Sequence, residues 1–393
     1  MNRRAKLAIP AVVVGGGLNA LGIVRSLSRR GVPVFVVANG PKAIAARSRF
    51  GRKVLLSKLD GADLVNGLME FARAQKWNER AVLFLTEEKT VRTVSENRES
   101  LKEYYKIEMP PHDRLMELMH KSGFQKLAEA FGFPIPKMLH IQSTDMLREA
   151  EKMRYPCVLK PAQKDYAYGA RFKKAYVVRS SEEVARLYRE ISTVLPDLVL
   201  QEWIEGDDSD IYFCLQYVGL DGATVSSFTG RKIRSWPLRV GGTASCTAAW
   251  DEAAELSALT SSFFASVHFS GMGSMEYKRD RRDGKFYMVE PTVGRSDFQE
   301  EVATLNGVNI PLAAYHHELG LGPLIEQRKS PQRVWREPVT DRWAFEENNG
   351  VQDERSQDAV IVDAFWRLND PMPWLCKIAS RLKARTKKTI EWI

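Results

Sequence analysis

Gly271-Met-Gly-Ser-Met-Glu-Tyr-Lys278, followed after a short interval by Phe286-Tyr-Met-Val-Glu-Pro291, is the stretch on which the reading of this chain turns. Each segment is apolar and strand-like and carries one acid, Glu276 in the first and Glu290 in the second. Between them, Arg279-Asp-Arg-Arg-Asp-Gly-Lys285 supplies charge and a glycine, the composition of a turn. The pattern predicts a β-hairpin with one carboxylate on each strand, both on one face. Two carboxylates that close repel each other unless a cation lies between them. Hard oxygen donors with no His or Cys nearby select Mg²⁺, held jointly by the protein and a phosphate. Two surface acids flanking a turn are the alternative, and the upstream sequence decides between them.

Composition narrows the classes. A chain of 393 residues has room for two or three domains with full cores. Hydrophobic content of 44% with 27% charged residues describes a globular protein rather than a disordered one. The four cysteines (Cys157, Cys214, Cys246 and Cys376) are scattered without a CxxC, which argues against a zinc site or a disulfide framework and for a reducing cytoplasm. The opening Met1-Asn-Arg-Arg-Ala-Lys6 and the apolar run Leu7–Val14 imitate a signal peptide. Gly15-Gly-Gly17 breaks that run, so it is read as a first strand. No apolar run approaches the ~20 residues of a membrane-spanning helix. The net charge of +9 is dispersed among acidic segments, with neither an aromatic RNA-binding motif nor a basic arm. Anionic small molecules, rather than nucleic acid, are the expected partners.

Along the chain, residues 10 to 110 alternate strand and helix. Strands are predicted at 11–14, 32–37 and 81–85, and helices at 18–30, 62–75 and 89–105, which implies a small parallel sheet. Gly15-Gly16-Gly17 with Gly22 lies at a strand-to-helix turn, but Ala20 breaks GxGxxG, and Ala38-Asn39-Gly40 offers no acid after the second strand. A nicotinamide-dependent dehydrogenase therefore fails, and the helix N-terminus there is instead a place for a substrate anion. Residues 111–140 read as a helical bridge stopped by Pro134 and Pro136. Residues 138–205 read as strand, helix, strand, strand, helix, strand. Further strands, the hairpin and a closing helix from Gln299 to about Leu319 follow. Beyond 325, five tryptophans and many charges accompany weaker periodicity.

Three upstream motifs bear on chemistry. Tyr155-Pro-Cys-Val-Leu-Lys-Pro161 ends a short apolar strand on Lys160, a position costly for a lysine without an anion. The polar loop 162–171 follows, then strand-like Lys174–Val178, a layout that could fold over a polyphosphate. Leu198-Val-Leu-Gln-Glu-Trp-Ile-Glu-Gly-Asp-Asp208 runs from a buried strand into a turn and can offer backbone groups to the edge of a base. An ordinary core strand remains the alternative there.

In their order, Lys121 on a helix, the Lys160 strand, the Gln201–Asp208 segment, Gly230-Arg-Lys232, Met-Glu276-Tyr and Val-Glu290-Pro-Thr-Val-Gly-Arg295 resemble the ATP-grasp superfamily. Within it, the chain most resembles the carbamoyl-phosphate-synthetase-like carboxylate–amine ligases, over about residues 10 to 325. The resemblance implies an α/β fold: a small parallel-sheet domain (1–110), the bridge (111–140), two grasp lobes (141–210 and 211–325) and a Trp-rich basic extension (326–393). It implies that ATP phosphates and base meet Lys121 and Lys160. Gln201, Glu202, Trp203 and Ile204 would line the adenine pocket, with backbone contacts at Glu202 and Ile204, and Asp208 would bind the ribose. Lys232 would touch the terminal phosphates. Glu276 and Glu290 would hold two Mg²⁺ ions, with Thr292 standing where the superfamily usually has Asn. Arg295 would stabilise the acyl phosphate and the tetrahedral intermediate. Tyr166 and Tyr168 would cover the phosphates in place of a glycine-rich loop. The implied reaction is attack of a carboxylate on the γ-phosphate, then displacement of phosphate by an amine. A homodimer is one assembly the resemblance allows. A nucleotide sensor without turnover, attached to a membrane-linked biosynthetic complex, is the competing function.

Two basic segments complete the reading. Arg231, Arg234 and Arg239 with Gly241-Gly242-Thr243 read either as recognition of an anionic acceptor or acyl phosphate, with Arg231 taken as catalytic, or as a solvated loop. Segment 374–390 reads as a basic helix for an anionic membrane face or an acidic partner, or as a cap on the protein's own core. His316-His317-Glu318 lacks HExxH spacing and reads as a helix end.

Overall fold

The computed structural model describes residues 9–162, 166–173, 175–239, 241–297 and 299–379. The first sheet is parallel throughout. It consists of β1 (Ala11–Val14), β2 (Val34–Ala38), β3 (Arg52–Leu55), β4 (Ala81–Leu85) and β5 (Tyr105–Lys106), in the order β3-β2-β1-β4-β5. β1 and β2 are buried along their whole length, as their Val- and Ala-rich runs require of parallel strands covered on both faces. β3 escaped the sequence reading because Arg52-Lys-Val-Leu55 is mostly exposed and has no apolar alternation. The turn after β1 needs its glycine: Gly15 sits at φ +140°, and a Cβ there would meet Thr86 Oγ1 at 1.8 Å.

The second sheet is antiparallel: β6 (Met138–Ile141), β7 (Cys157–Pro161), β8 (Tyr176–Val178) and β9 (Leu198–Glu202), in the order β6-β9-β7-β8. Helix Ser181–Ile191 covers it with Val184, Leu187, Tyr188 and Ile191, one helical face. Ser180 caps that helix by accepting from the Glu183 N–H. The expected loop 162–171 contains a helix, Tyr166–Arg171, while residues 163–165 lie outside the described residues.

The third sheet carries β10 (Ile211–Val218), β11 (Thr224–Trp236), β12 (Gly242–Ala248), β13 (Gly271–Arg279), β14 (Phe286–Val293), β15 (Arg333–Arg336) and β16 (Val360–Asp363). Their order is β14-β13-β10-β11-β12-β15-β16, antiparallel except for the β15–β16 pair. Helix Ala253–Ser266 packs Leu256, Phe263 and Phe264 on one face, against Tyr212, Met275 and Tyr277. Val302, Leu312 and Tyr315 cover the other face, against Phe213, Leu215 and Tyr217. The closing helix expected over 299–319 is two helices, Glu300–Leu305 and Ile310–Glu318. Gly307 breaks it at φ +104°, where a Cβ would lie 1.8 Å from the Gln327 carbonyl. Asn309 then restarts it by accepting from the Leu312 N–H.

The tryptophan-rich region contributes β15 and β16 to this sheet and then returns to the first domain. Arg25, 2% exposed, donates to Asp370 Oδ2 at 2.9 Å and to the carbonyls of Ala364 (2.8 Å) and Phe365 (2.7 Å). It also lies 3.5 Å from Glu301, which accepts from Arg367 at 2.7 Å and Trp335 Nε1 at 2.9 Å. Farther on, Trp374 packs edge-on against Trp366 at 5.1 Å, and Lys377 pairs with Glu337 over the Phe365 ring. This part of the tail thus caps the protein's own core, and residues 380–393 lie outside the described residues.

Beside that network, Glu300 is 1% exposed, and its Oε2 has no hydrogen-bond partner among the described residues. Burial pushes its carboxyl up to about 8. The native state therefore binds more protons than the unfolded chain between about pH 4.5 and 8, and stability falls as pH rises through that window. Glu300→Gln is expected to flatten this slope and to gain roughly 3–5 kcal/mol over wild type at pH 8, from ~1.4 kcal/mol per pKa unit. Urea unfolding of both proteins at pH 5 and pH 8 measures it; parallel pH dependences would refute it.

Candidate active site

The hairpin forms as its sequence requires. β13 pairs with β14 so that Glu276 stands directly opposite Glu290, and Ser274 opposite Thr292. Directly opposed residues of an antiparallel pair share a face, so both carboxylates project together. An irregularity beside this pair sets Tyr277 opposite Met288 and leaves Val289 as the extra residue, which re-aims the acid. Glu276 lies two strands from Lys232 and reaches it across the sheet: Lys232 Nζ is 2.7 Å from Glu276 Oε2, with the lysine 4% exposed. A buried ammonium needs such a partner.

The second sheet brings its own cation to the same place. Lys160 on β7 donates to Gln201 Oε1 on β9 at 2.7 Å. A small cavity of about 50 Å³ is lined by Lys121, Lys160, Gln201 and Glu290, together with Met138 and Pro291. Four of the residues singled out from sequence thus meet in one cleft between the lobes, although they come from a helix and three strands. Lys121 opens helix Lys121–Ala130, immediately after His120.

The adenine-edge segment is partly committed to the protein. Glu202 N–H donates to the Lys137 carbonyl at 2.9 Å and Trp203 N–H to the Pro156 carbonyl at 3.0 Å. Ile204, 7% exposed, has no acceptor for its N–H among the described residues. The Trp203 ring carries Lys278 Nζ at 4.6 Å, and Arg281 ties Asp207 and Asp210 to the hairpin turn at 2.7 Å each. The exit of β9 is thereby zipped to the acidic hairpin.

Four sequence candidates sit elsewhere. Asp208, 7% exposed, accepts from the N–H groups of Ser235 (2.9 Å) and Arg239 (2.8 Å), so both its oxygens brace the β11–β12 turn. Arg231 alternates with Lys232 along β11 and so faces the other side of the sheet. It is 4% exposed and grips Asp353 with two nitrogens at 3.1 and 2.6 Å. Arg234 does likewise with Asp341 at 2.7 and 3.2 Å. These arginines are structural, and the acids that hold them, over a hundred residues downstream, carry no local signal. Tyr168 is 2% exposed and donates to the Lys173 carbonyl at 2.7 Å, so it turns into the lobe's core rather than over the cleft. The side chain of Tyr166 lies outside the described residues.

Arg295 follows β14, half-buried, and donates to the Ser296 carbonyl at 3.2 Å. Ser296 Oγ donates to Asn19 Oδ1 at 2.5 Å, and Asn19 Nδ2 donates to the Thr86 carbonyl at 2.9 Å. Asn19 and Ser296, neither of which stood out in sequence, fix the arginine loop to the ends of β1 and β4. In the adjoining turn, Gly16 N–H points to Glu87 Oε1 at 3.4 Å, so a carboxylate of the protein itself meets the helix start proposed for a substrate anion.

The donor set fits Mg²⁺. Among the described residues no three His, Cys, Asp or Glu side chains converge on a metal position. Glu276 and Glu290 with the Thr292 hydroxyl would supply a minority of the oxygen ligands, leaving the others to phosphate and water, the usual division for this ion.

No protein-family model matches the chain, and no curated protein matches it in sequence. Solved structures do. An N5-carboxyaminoimidazole ribonucleotide synthetase, PurK, in complex with ADP shares 14% identity, with 81% of this chain and 80% of that one covered and a TM-score of 0.63. The biotin carboxylase domain of 2-oxoglutarate carboxylase from Hydrogenobacter thermophilus, in complex with MgADP and bicarbonate, shares 14% identity over 83% of this chain and 74% of that one, with a TM-score of 0.63. The N5-carboxyaminoimidazole synthetase of Staphylococcus aureus, complexed with ADP, shares 15% over 82% and 81%, with a TM-score of 0.61. The parallel-sheet domain, the small antiparallel lobe and the large lobe with its paired acids are thus an ATP-grasp fold.

Proposed function

We propose that this protein is an Mg²⁺- and ATP-dependent ligase that activates a carboxylate as an acyl phosphate and joins it to an amine. The observation that carries the proposal is the convergence of Lys121, Lys160, Gln201 and Glu290 on one cleft, with Glu276 opposite Glu290. Lys160 and Lys121 would neutralise phosphate charge, and the Ile204 N–H would meet the edge of the base. Bound Mg²⁺ would screen the polyphosphate and polarise its terminal group. Arg295, anchored through Ser296 and Asn19, would face the developing negative charge, and Lys232 would hold the terminal phosphate once released from Glu276. Binding and charge placement, rather than covalent participation, are what these side chains offer.

On this reading residues 1–110 carry the acceptor side, 111–140 the bridge, 141–210 the lobe over the nucleotide and 211–325 the metal lobe. Of the extension 326–393, the described residues 326–379 complete the large sheet and the first domain. Among the described residues no helix is long and apolar enough to cross a membrane. The cleft of about 50 Å³ is far below the roughly 300 Å³ of a ligand pocket, so on this reading the small lobe would lift to admit the nucleotide.

A nucleotide sensor is the second reading. It is favoured by the Lys232–Glu276 pair, which occupies one metal-facing carboxylate, and by Thr292. Phosphate release from Mg-ATP, measured across pooled carboxylic acids and amines, tests the ligase. Release that requires one acid pool and one amine pool supports it. ATP binding by calorimetry, with no release in any pool, favours the sensor.

A further inference from the structure

A second concavity lies in the first domain, away from the cleft. A groove of about 680 Å³ lies at the opposite edge of the parallel sheet, where β1, β2 and β3 begin. Its volume falls within the roughly 300–1,000 Å³ of small-molecule sites. In open parallel sheets the substrate crevice lies at the carboxyl ends of the strands, here the Gly15 and Thr86 edge, so this groove is a separate place.

Its lining combines two chemistries. Phe35, Phe50 and Trp77 give aromatic walls, with Phe35 and Trp77 at 5.6 Å between ring centres. Arg49 and Arg52 add two guanidiniums, each resting on a ring: Arg49 over Phe50 at 5.9 Å and Arg52 over Phe35 at 5.8 Å. Both arginines are exposed, and neither has a carboxylate partner for its side chain among the described residues. The third observation is Ser28 Oγ, which is buried, lines the groove and has no hydrogen-bond partner among the described residues. A buried hydroxyl left unpaired costs free energy that a ligand atom can recover.

We propose that this groove binds a planar aromatic anion: a flat ring bearing an N–H donor, laid against the half-buried Phe50 and Trp77 rings, and a carboxylate or phosphate on Arg49 and Arg52. Stacking suits the rings, and a forked guanidinium pair suits a planar or tetrahedral anion. The chain's own amino-terminal segment is the wrong occupant, because Arg3, Arg4 and Lys6 repeat the charge of the groove. A connection to the rest of the molecule exists: the Arg49 N–H donates to Asp370 Oδ1 at 2.8 Å, the same carboxylate that holds Arg25. The inference does not rest on the ligase reading and stands or falls separately from it.

The full-length protein is titrated with 4-aminobenzoate in one arm and uridine monophosphate in the other, by calorimetry and tryptophan fluorescence. Saturable binding of one of them at one equivalent is expected, at least tenfold weaker for the neutral counterpart (4-aminobenzamide or uridine) and for the Arg49→Ala/Arg52→Ala variant. The fluorescence change should vanish in Trp77→Phe while the calorimetric binding survives. Unchanged melting temperatures establish that the variants are folded. Failure of both probes to bind up to about 10 mM, an affinity of about −2.7 kcal/mol, overturns the proposal. So does binding indifferent to the two arginines. A dimer in solution that Trp77→Arg converts to monomer overturns it as well, by giving the groove to a second copy of the chain.

Discussion

Glu290→Gln is expected to abolish nucleotide turnover while leaving the protein folded. Glu290 is exposed at the cleft and has no role in the core, so its loss should not change the melting temperature by more than a degree or two. Removing one ligand charge from a site with few protein ligands should lower phosphate release from Mg-ATP by ~10²–10³-fold, comparable to losing one preorganised electrostatic contact in other enzymes. Glu276→Gln should behave differently. It also removes the partner of Lys232, a lysine that is 4% exposed, and so should destabilise the fold by roughly 1–3 kcal/mol in addition to stopping turnover. Paired phosphate-release and thermal-unfolding measurements separate the two. Equal stability losses would mean that Lys232 finds another acceptor, and turnover retained in Glu290→Gln would remove this acid from the site.

The hairpin shows why part of the site was legible in the sequence. Alternation along Met275-Glu-Tyr277 and the charged glycine turn are local signals, and they suffice to set Glu276 against Glu290. Lys160 could be read for a similar reason, since a lysine ending an apolar strand needs a polar partner, found in Gln201. The arginines of β11 could not be apportioned. Arg231 and Lys232 are neighbours in sequence, yet pleating sends them to opposite faces, and Asp353 and Asp341 approach Arg231 and Arg234 only after β15 and the helix Pro338–Glu347 have formed. Asp208 is hard to read for a related reason: each of its oxygens accepts from an N–H about thirty residues away, at the end of β11 and in the turn that follows. In the fold, the parallel core strands announced themselves, whereas exposed β3, and β15 and β16 of the tryptophan-rich region, pair only because a neighbouring strand edge is there to receive them.

Asp370→Ala is the substitution expected to cost most stability, about 3–5 kcal/mol. Asp370 is fully buried and accepts from Arg25 Nε, Ser48 Oγ and the Arg49 N–H, so its removal strands three donors, one of them charged. Asp370→Asn keeps the shape and two acceptor directions and should lose distinctly less. Urea unfolding at pH 7 distinguishes them; a loss below about 1 kcal/mol for the alanine variant would show that Arg25 is satisfied by Glu301 and the two carbonyls alone.

That carboxylate has a further consequence during synthesis. Arg25 and Asp370 are separated by 345 positions, so at ~5–20 residues per second the first domain waits roughly 20–70 s on the ribosome before the charge it must bury can be balanced. Throughout that interval helix Leu18–Ser28 faces an empty seat where Glu301, Ala364 and Asp370 will later dock. The emerging amino-terminal domain is therefore an incomplete folding unit, and translation stalled before position 370 should yield a protease-sensitive product rather than a stable fragment.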